Sequence, residues 1–391
     1  MSRSYVLVLA AAGLCYAALG SVLRILPDHV GADLGGSAAA VGLAVGAPAL
    51  TAIAARPLGG WAADRVGPKP IVLAGAVVMA AGTAPAFGSG GLAALDLSRL
   101  LVGAGEGAMM AATALWLLRL AGPDRRGAAL GHIGLANYAG LAVGPLVADA
   151  LSGSADPVFA AAALLPLLGA AMVLGIAPPP PAEDQPRPAA AREPGAPRPP
   201  SLLRATLRPG IGLALVNVGY VAVISFGTTV ARGHGAAAAG LIVPVFAITV
   251  IGGRLLGSSL PDRLGAVPTL RACVLAEGLG LGALAIAHGS VVALAATIVL
   301  AAGQSLAVPA LGIMAIARVE PERHGAAAGL FFSWFDAGVG LGGPTVGAAA
   351  RALDPAAAIA LSGAAVLSVG AIVVPPWRRT ATSRAPATLR A

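Results

Sequence analysis

Two carboxylates stand in runs where water should be scarce. Glu106 lies within Arg99-Leu100-Leu101-Val102-Gly103-Ala104-Gly105-Glu106-Gly107, and Asp336 sits next to Phe335, close to Gly338 and Gly340. A carboxyl group held in an apolar medium can take up and release a proton near neutral pH, the chemistry a proton-coupled machine needs. Glu106 follows Arg99 by seven residues, two helical turns along one face. His132 would titrate near pH ~6.5 and could also handle protons, although a lone histidine equally serves as hydrogen-bonded scaffold. Tyr16, Asn137, Tyr138, Asn217, Tyr220 and Gln304 are polar groups in otherwise apolar segments. In a largely apolar cavity such groups could orient an amphipathic ligand. Arg24 is either a further cavity cation or a side chain reaching outward to water.

The elements that must position these groups follow from composition. The chain of 391 residues is 57% hydrophobic and 11% charged, with mean hydropathy +0.85. That is far from the roughly 25% charge of an ordinary globular surface, and the chain belongs in a bilayer. A net charge of +8 and an isoelectric point near 10.6 do not make it a nucleic-acid binder. The bases are scattered through short connectors, without a basic face or stacking aromatics. Cys15 and Cys273 each lie in an apolar run. They form neither a disulfide framework nor a metal-ligand spacing, so no metal and no cofactor are expected.

Charge, proline and glycine clusters divide the chain into twelve apolar spans: 4–26, 38–62, 70–89, 94–119, 126–150, 157–177, 209–231, 236–260, 267–287, 290–316, 323–349 and 355–375. Each is long enough to cross ~30 Å of hydrocarbon at ~1.5 Å per residue. Backbone groups in hydrocarbon must pair internally, so the spans are predicted as helices. The first apolar run is longer than a secretory signal core and reads as an uncleaved helix. With the amino terminus cytoplasmic, only Arg24, Arg99, Arg232 and Arg351 of the 25 Lys and Arg fall at outer ends, which satisfies the positive-inside rule with both termini in the cytoplasm. Residues 178–200 carry ten prolines and six charges and are expected to be a flexible, partly extended linker. The expected organisation is a first six-helix bundle (1–177), a linker (178–208), a second bundle (209–377) and a cytoplasmic tail (378–391).

The two bundles are copies. An offset of 198 carries Asp64-Arg65-Val66-Gly67 onto Asp262-Arg263-Leu264-Gly265, Arg56 onto Arg254, and Gly105 onto Gly303. It also carries Gly127-Ala128-Ala129 onto Gly325-Ala326-Ala327, Gly140 and Gly144 onto Gly338 and Gly342, and Glu106 onto Gln304. An internal repeat in an apolar chain marks a transporter assembled from two related halves.

Gly60-Trp61-Ala62-Ala63-Asp64-Arg65-Val66-Gly67-Pro68-Lys69 resembles the signature loop of the major facilitator superfamily, with Pro68 where a base is usual. Arg99 followed by Gly103 and Gly105 is similar to that family's second signature. Gly140-Leu141-Ala142-Val143-Gly144-Pro145 resembles the antiporter signature of its drug-exporting branches, and a second copy occurs around Gly342 and Pro344. Glycines four apart allow close helix approach, and proline removes one backbone donor. Gly338, Gly340 and Gly343 also spell a dinucleotide fingerprint, but no strand precedes them.

The resemblance implies an all-α membrane protein of twelve transmembrane helices in two pseudo-symmetric six-helix bundles, each of inverted three-helix repeats, with a substrate cavity between them. It implies alternating access, and, for the drug-efflux branch, export of small amphipathic drugs or antibiotics by proton antiport. Proton coupling is then expected at Glu106, Asp336, Arg99 and His132. The gating loops would be Gly60, Asp64, Arg65, Gly67 and Lys69, with Asp262, Arg263 and Gly265. Glu277 is expected to be a packing or peripheral residue, because the ninth helix of this family usually lies outside the cavity. The Asp-Arg loops are expected to latch the outward-facing state, the first more strongly, since Lys69 has no counterpart and Ser258 replaces Gly60. A sugar or metabolite exporter of the same fold is the first rival, and a membrane-embedded enzyme is disfavoured by the lack of any catalytic cluster. The partners are a small solute, protons and lipid, and the chain is expected to act as a monomer in the inner (plasma) membrane.

Overall fold

The computed structural model describes residues 2–88, 90–151, 154–177 and 201–373, and side chains 38 and 39 are not described. The expected linker segment 178–200 and the tail 378–391 lie outside them. Among the described residues the elements are all helical, and twelve are long: α1 (Arg3–Asp28), α2 (Ala38–Val66), α3 (Pro68–Thr83), α4 (Gly91–Ala121), α5 (Arg126–Ala150), α6 (Ala155–Leu174), α7 (Leu202–Ala222), α8 (Ile242–Gly257), α9 (Ala266–Ile286), α10 (Gly289–Ile316), α11 (His324–Ala352) and α12 (Pro355–Val373). Eleven spans are apolar enough to cross a membrane by length and composition. The exception, α11, has 29 residues but is diluted by His324, Ser333, Asp336 and its glycines.

Local signals set the ends. Ser2, Ser37 and Ser201 accept from the backbone N–H of Tyr5, Ala40 and Arg204 and so cap α1, α2 and α7. Gly67 (φ 90°) and Gly265 (φ 92°) turn the chain into α3 and α9 in a backbone region that side chains avoid. Helix α7 starts at Leu202, not at 209. Arg204, Arg208 and Pro209 suggested a boundary, but the Ser201 cap starts the helix earlier, beyond the apolar stretch. After Ala222 it continues through a π-helical turn, Val223–Gly227, into Thr228–Gly233. Helix α8 begins later than expected and stops at Gly257, and a separate short helix, Leu260–Leu264, carries the second Asp-Arg pair.

The packing repeats like the sequence. In the first half α1 packs on α5 and α6, α2 on α4, and α3 on α4 and α6. In the second half α7 packs on α11 and α12, α8 on α10, and α9 on α10 and α12. Gly140 meets Gly13 and Tyr16 of α1, and its counterpart Gly338 meets Ala214 of α7. Positions 16 and 214 are themselves 198 apart. The halves meet where α11 packs on α2 and α4 and where α5 packs on α8 and α10, with α2 and α11 in contact along the greatest length.

Candidate functional site

On α2, Ile53, Arg56, Gly60 and Asp64 recur three or four residues apart and share a face. The facing stripe of α11 is Gly325, Gly329, Ser333 and Asp336. Ser333 Oγ donates to the Ile53 carbonyl at 2.8 Å. A side chain at Gly60 would collide with the Gly325 backbone, and one at Gly329 with the Arg56 carbonyl. Small residues therefore bring two backbones together and hold Arg56 where α11 can reach it.

The charged centre is buried on all sides. Arg56 is 4% exposed, Glu106 5% and Asp336 7%, against the several kcal/mol that burying an uncompensated charge costs. Arg56 Nη2 donates to Glu106 Oε1 (3.2 Å) and Oε2 (3.3 Å) and to Asp336 Oδ1 (3.1 Å). Its Nε lies 2.6 Å from Asp336 Oδ2, an ion-pair contact that is off the hydrogen-bond line. The Tyr16 hydroxyl donates to Glu106 Oε1. One guanidinium thus faces two carboxylates, one from each half.

Beyond the charged centre, at the Asp-Arg ends of α2 and the short helix Leu260–Leu264, the halves cap each other's helices. Asp64 of α2 accepts from the Gly325 and Ala326 N–H groups, both at 2.8 Å, at the start of α11. Asp262 accepts from Gly127 (2.8 Å) and Ala128 (2.9 Å) at the start of α5. A carboxylate on a helix amino terminus satisfies unpaired donors and meets the positive end of the dipole. The repeated Asp therefore latches across the halves, not within its own.

The second half holds a counterpart with other chemistry. Arg254 is 2% exposed and its guanidinium lies over the Tyr138 ring, 4.8 Å from the centroid. Tyr138 occupies the position equivalent to Asp336. It packs edge-on against Tyr220, which meets Phe246. Gln304, equivalent to Glu106, donates to Glu277 Oε1 (2.8 Å) and Oε2 (3.1 Å) with its amide nitrogen turned to the carboxylate. Glu277 is 1% exposed, so of the two expectations it is a packing residue and not a peripheral one: α9 packs its face onto α10, and Gly303 lets the helices close around the pair.

Other expected residues fall elsewhere. Arg99 is buried but donates to the Ala44 carbonyl (3.0 Å) and does not join Glu106. Seven residues put it on the same face but about 10 Å away along the axis. His132 bonds Tyr5 at 3.0 Å and lies 3.5 Å from Ser258, beside a cavity of about 150 Å³ also lined by Arg125, remote from Arg56. Arg24 pairs with Asp149 at 3.1 Å, both about half exposed, so it reaches outward. Lys69 donates to the carbonyls of Leu174 and Ile176, tying α3 to the end of α6 and not to the other half. Arg65 lies over Trp61 (4.0 Å), and Arg263 is exposed. Asn217 turns back to the Leu213 carbonyl, and Asn137 reaches Met110 Sδ. Gly144 seats Gly20 and Ser21 of α1, whereas Gly342 packs less tightly on α7, and Pro145 and Pro344 lie inside their helices. Sequence reasoning did not find Arg56 as the hub. The signal was there: an arginine repeated inside an apolar span, eight residues before each Asp-Arg pair.

Comparison with known proteins agrees with this geometry. The family model described as Major Facilitator Superfamily matches residues 8–343. An uncharacterised MFS-type transporter of Burkholderia mallei is 30% identical over 349 residues, covering 87% of this chain and 83% of the relative. One from Salmonella typhimurium is 29% identical, covering 92% and 94%. Among solved structures, the human organic anion transporter MFSD10 superposes with TM-score 0.75 at 18% identity, covering 95% of this chain and all of that one. The proton:xylose symporter XylE gives 0.73 at 16%, covering 94% of each. The repeated halves, the reciprocal Asp caps and these matches make the chain a transporter of the major facilitator superfamily.

Proposed function

We propose that the protein exports small amphipathic molecules from the cytoplasm in exchange for protons. The observation that carries this reading is Arg56, set between Glu106 of its own half and Asp336 of the other. With all three groups ionised the cluster sums to one negative charge, and one proton brings it to zero. That proton is held while the two carboxylates share Arg56. When the halves part at the cytoplasmic side, α11 carries Asp336 away, Glu106 and Tyr16 stay with Arg56, and water reaches the separated carboxyls. The proton leaves to the cytoplasm, the cavity accepts its solute there, and closure of the Asp64 and Asp262 latches returns the site to the outside. The resemblance of α5 and α11 to the antiporter signature supports the outward direction. On this reading the chain works as a monomer in the inner membrane with both termini cytoplasmic.

The test is a susceptibility and accumulation screen in a pump-deficient host, with and without a proton uncoupler, using wild type and Glu106→Gln. Drug accumulation should fall with wild type only while the gradient stands. Full gradient-driven efflux by Glu106→Gln would remove Glu106 from the coupling machinery, and efflux indifferent to the uncoupler would remove proton coupling altogether.

A further inference from the structure

The two halves carry the same arginine at the same depth, eight residues above each latch, with different surroundings. Arg56 has two carboxylates. At the positions equivalent to those carboxylates, Arg254 has Gln304 and Tyr138. Among the described residues no ion pair reaches Arg254, and its Nε has no hydrogen-bond partner. The buried Glu277 faces Gln304 and does not serve as its counter-ion. What covers the guanidinium is the face of the Tyr138 ring and the bare backbone of Gly134, where a side chain would occupy the space of Nη1. A cation over a ring gains about 0.5–2 kcal/mol, less than the several kcal/mol that an unpaired buried charge costs.

Arg254 also lies at a moving boundary. It belongs to α8 of the second half, while Tyr138 and Gly134 belong to α5 of the first. Separation of the halves on the cytoplasmic side therefore draws the guanidinium off the ring and presents it to the entering solute. Tyr138, Tyr220 and Phe246 stand next to it as an apolar aromatic wall.

We propose that Arg254 is the anion subsite of the transporter, and that its substrates are amphipathic organic anions whose carboxylate pairs with this guanidinium while their apolar part lies on the Tyr220 and Phe246 rings. Tyr138 and the carboxylate compete for one cation. The substrate holds it in the cytoplasm-open state, and the ring takes it over as the cytoplasmic side closes and the anion leaves outward. This inference rests on the export reading for its direction but not for the binding site itself.

Three probes of one shape and different charge test it: radiolabelled 1-naphthylacetate, 2-(1-naphthyl)ethanol and 2-(1-naphthyl)ethylammonium. Equilibrium binding to the purified full chain, without a gradient, should favour the carboxylate over the alcohol by about tenfold or more, with the ammonium weakest. Arg254→Gln should abolish the preference, Arg254→Lys should keep part of it, and Tyr138→Leu should tighten carboxylate binding. Wild-type protein that does not prefer the carboxylate overturns the proposal without recourse to any variant. A preference unchanged in Arg254→Gln overturns it as well. Gradient-driven uptake of the same probes into everted vesicles separates the two readings. Preferred carboxylate binding without proton-driven uptake would sink export and leave the subsite standing. Proton-driven uptake of the alcohol or ammonium without carboxylate preference would do the reverse.

Discussion

Arg56 and Asp336 are 280 residues apart in the chain, yet Arg56 Nε lies 2.6 Å from Asp336 Oδ2 across the boundary between the halves. On the proposed reading, any motion that opens the cytoplasmic side must break this pair.

Asp336→Asn removes the charge and keeps the shape. We expect solute exchange without a gradient to persist while proton-driven accumulation disappears. Wild-type antiport of a neutral solute against one proton is limited to about tenfold accumulation per pH unit, since one unit is 1.36 kcal/mol. Everted vesicles loaded at stepped pH gradients measure both quantities, and gradient-driven accumulation by Asp336→Asn would refute the assignment.

Tyr16→Phe deletes one hydrogen bond to Glu106 and leaves the ring in place. Loss of a bond to a charged acceptor costs roughly 1.5–3 kcal/mol. The proton dependence of transport should shift in pH while expression stays near wild type. An unaltered pH profile would reduce Tyr16 to packing.

The latches are testable as a pair. Each Asp→Asn change removes charge and dipole complementarity worth about 1 kcal/mol, roughly a fivefold shift toward the cytoplasm-open state. Cysteine accessibility from the cytoplasmic side would report it. We expect Asp64→Asn to shift the equilibrium more than Asp262→Asn. The four cap bonds span only 2.8 to 2.9 Å, and Lys69 is engaged elsewhere. The asymmetry rests instead on the closer α2 and α11 seam, where Gly60 meets Gly325 directly while Ser258 stands between α8 and Gly131. Equal shifts would end that argument.

Gly60→Leu should hold the seam apart and cut transport by about tenfold or more, since no side chain can enter that backbone contact without displacing α11. Gly252→Leu is the control, because nothing lies within 4 Å of the added atom. Similar activity of the two variants would show that the seam yields.

Much of the fold could be read from the chain because hydrocarbon imposes one demand, twenty or so apolar residues in a helix, and the repeat then places the copies. Boundaries went astray where a local cap outweighed composition, as at Ser201. Within the site, Glu106 and Asp336 stood out because a charge in such a run needs a reason. Their shared partner, Arg56, was not named. Arg99 shares a face with Glu106, but a helix face does not tell which side chains span the gap to the next helix. Arg56 reaches Asp336 because Gly60 and Gly329 draw α2 onto α11, and it reaches Glu106 because Gly59 and Gly107 draw α2 onto α4, distances set by the absence of side chains at other positions. Glu277 was set aside on family habit, whereas the chain placed it opposite Gln304.

The reciprocal caps also constrain how the molecule can move. A single contact between two rigid bodies leaves them free to swivel about it. Asp64 and Asp262 bind at two separated points, each on the other half's helix, and two points remove that swivel. What remains while both hold is tilting about the line that joins them, which on the proposed reading opens the outer face alone, and the cytoplasmic side parts once both caps release.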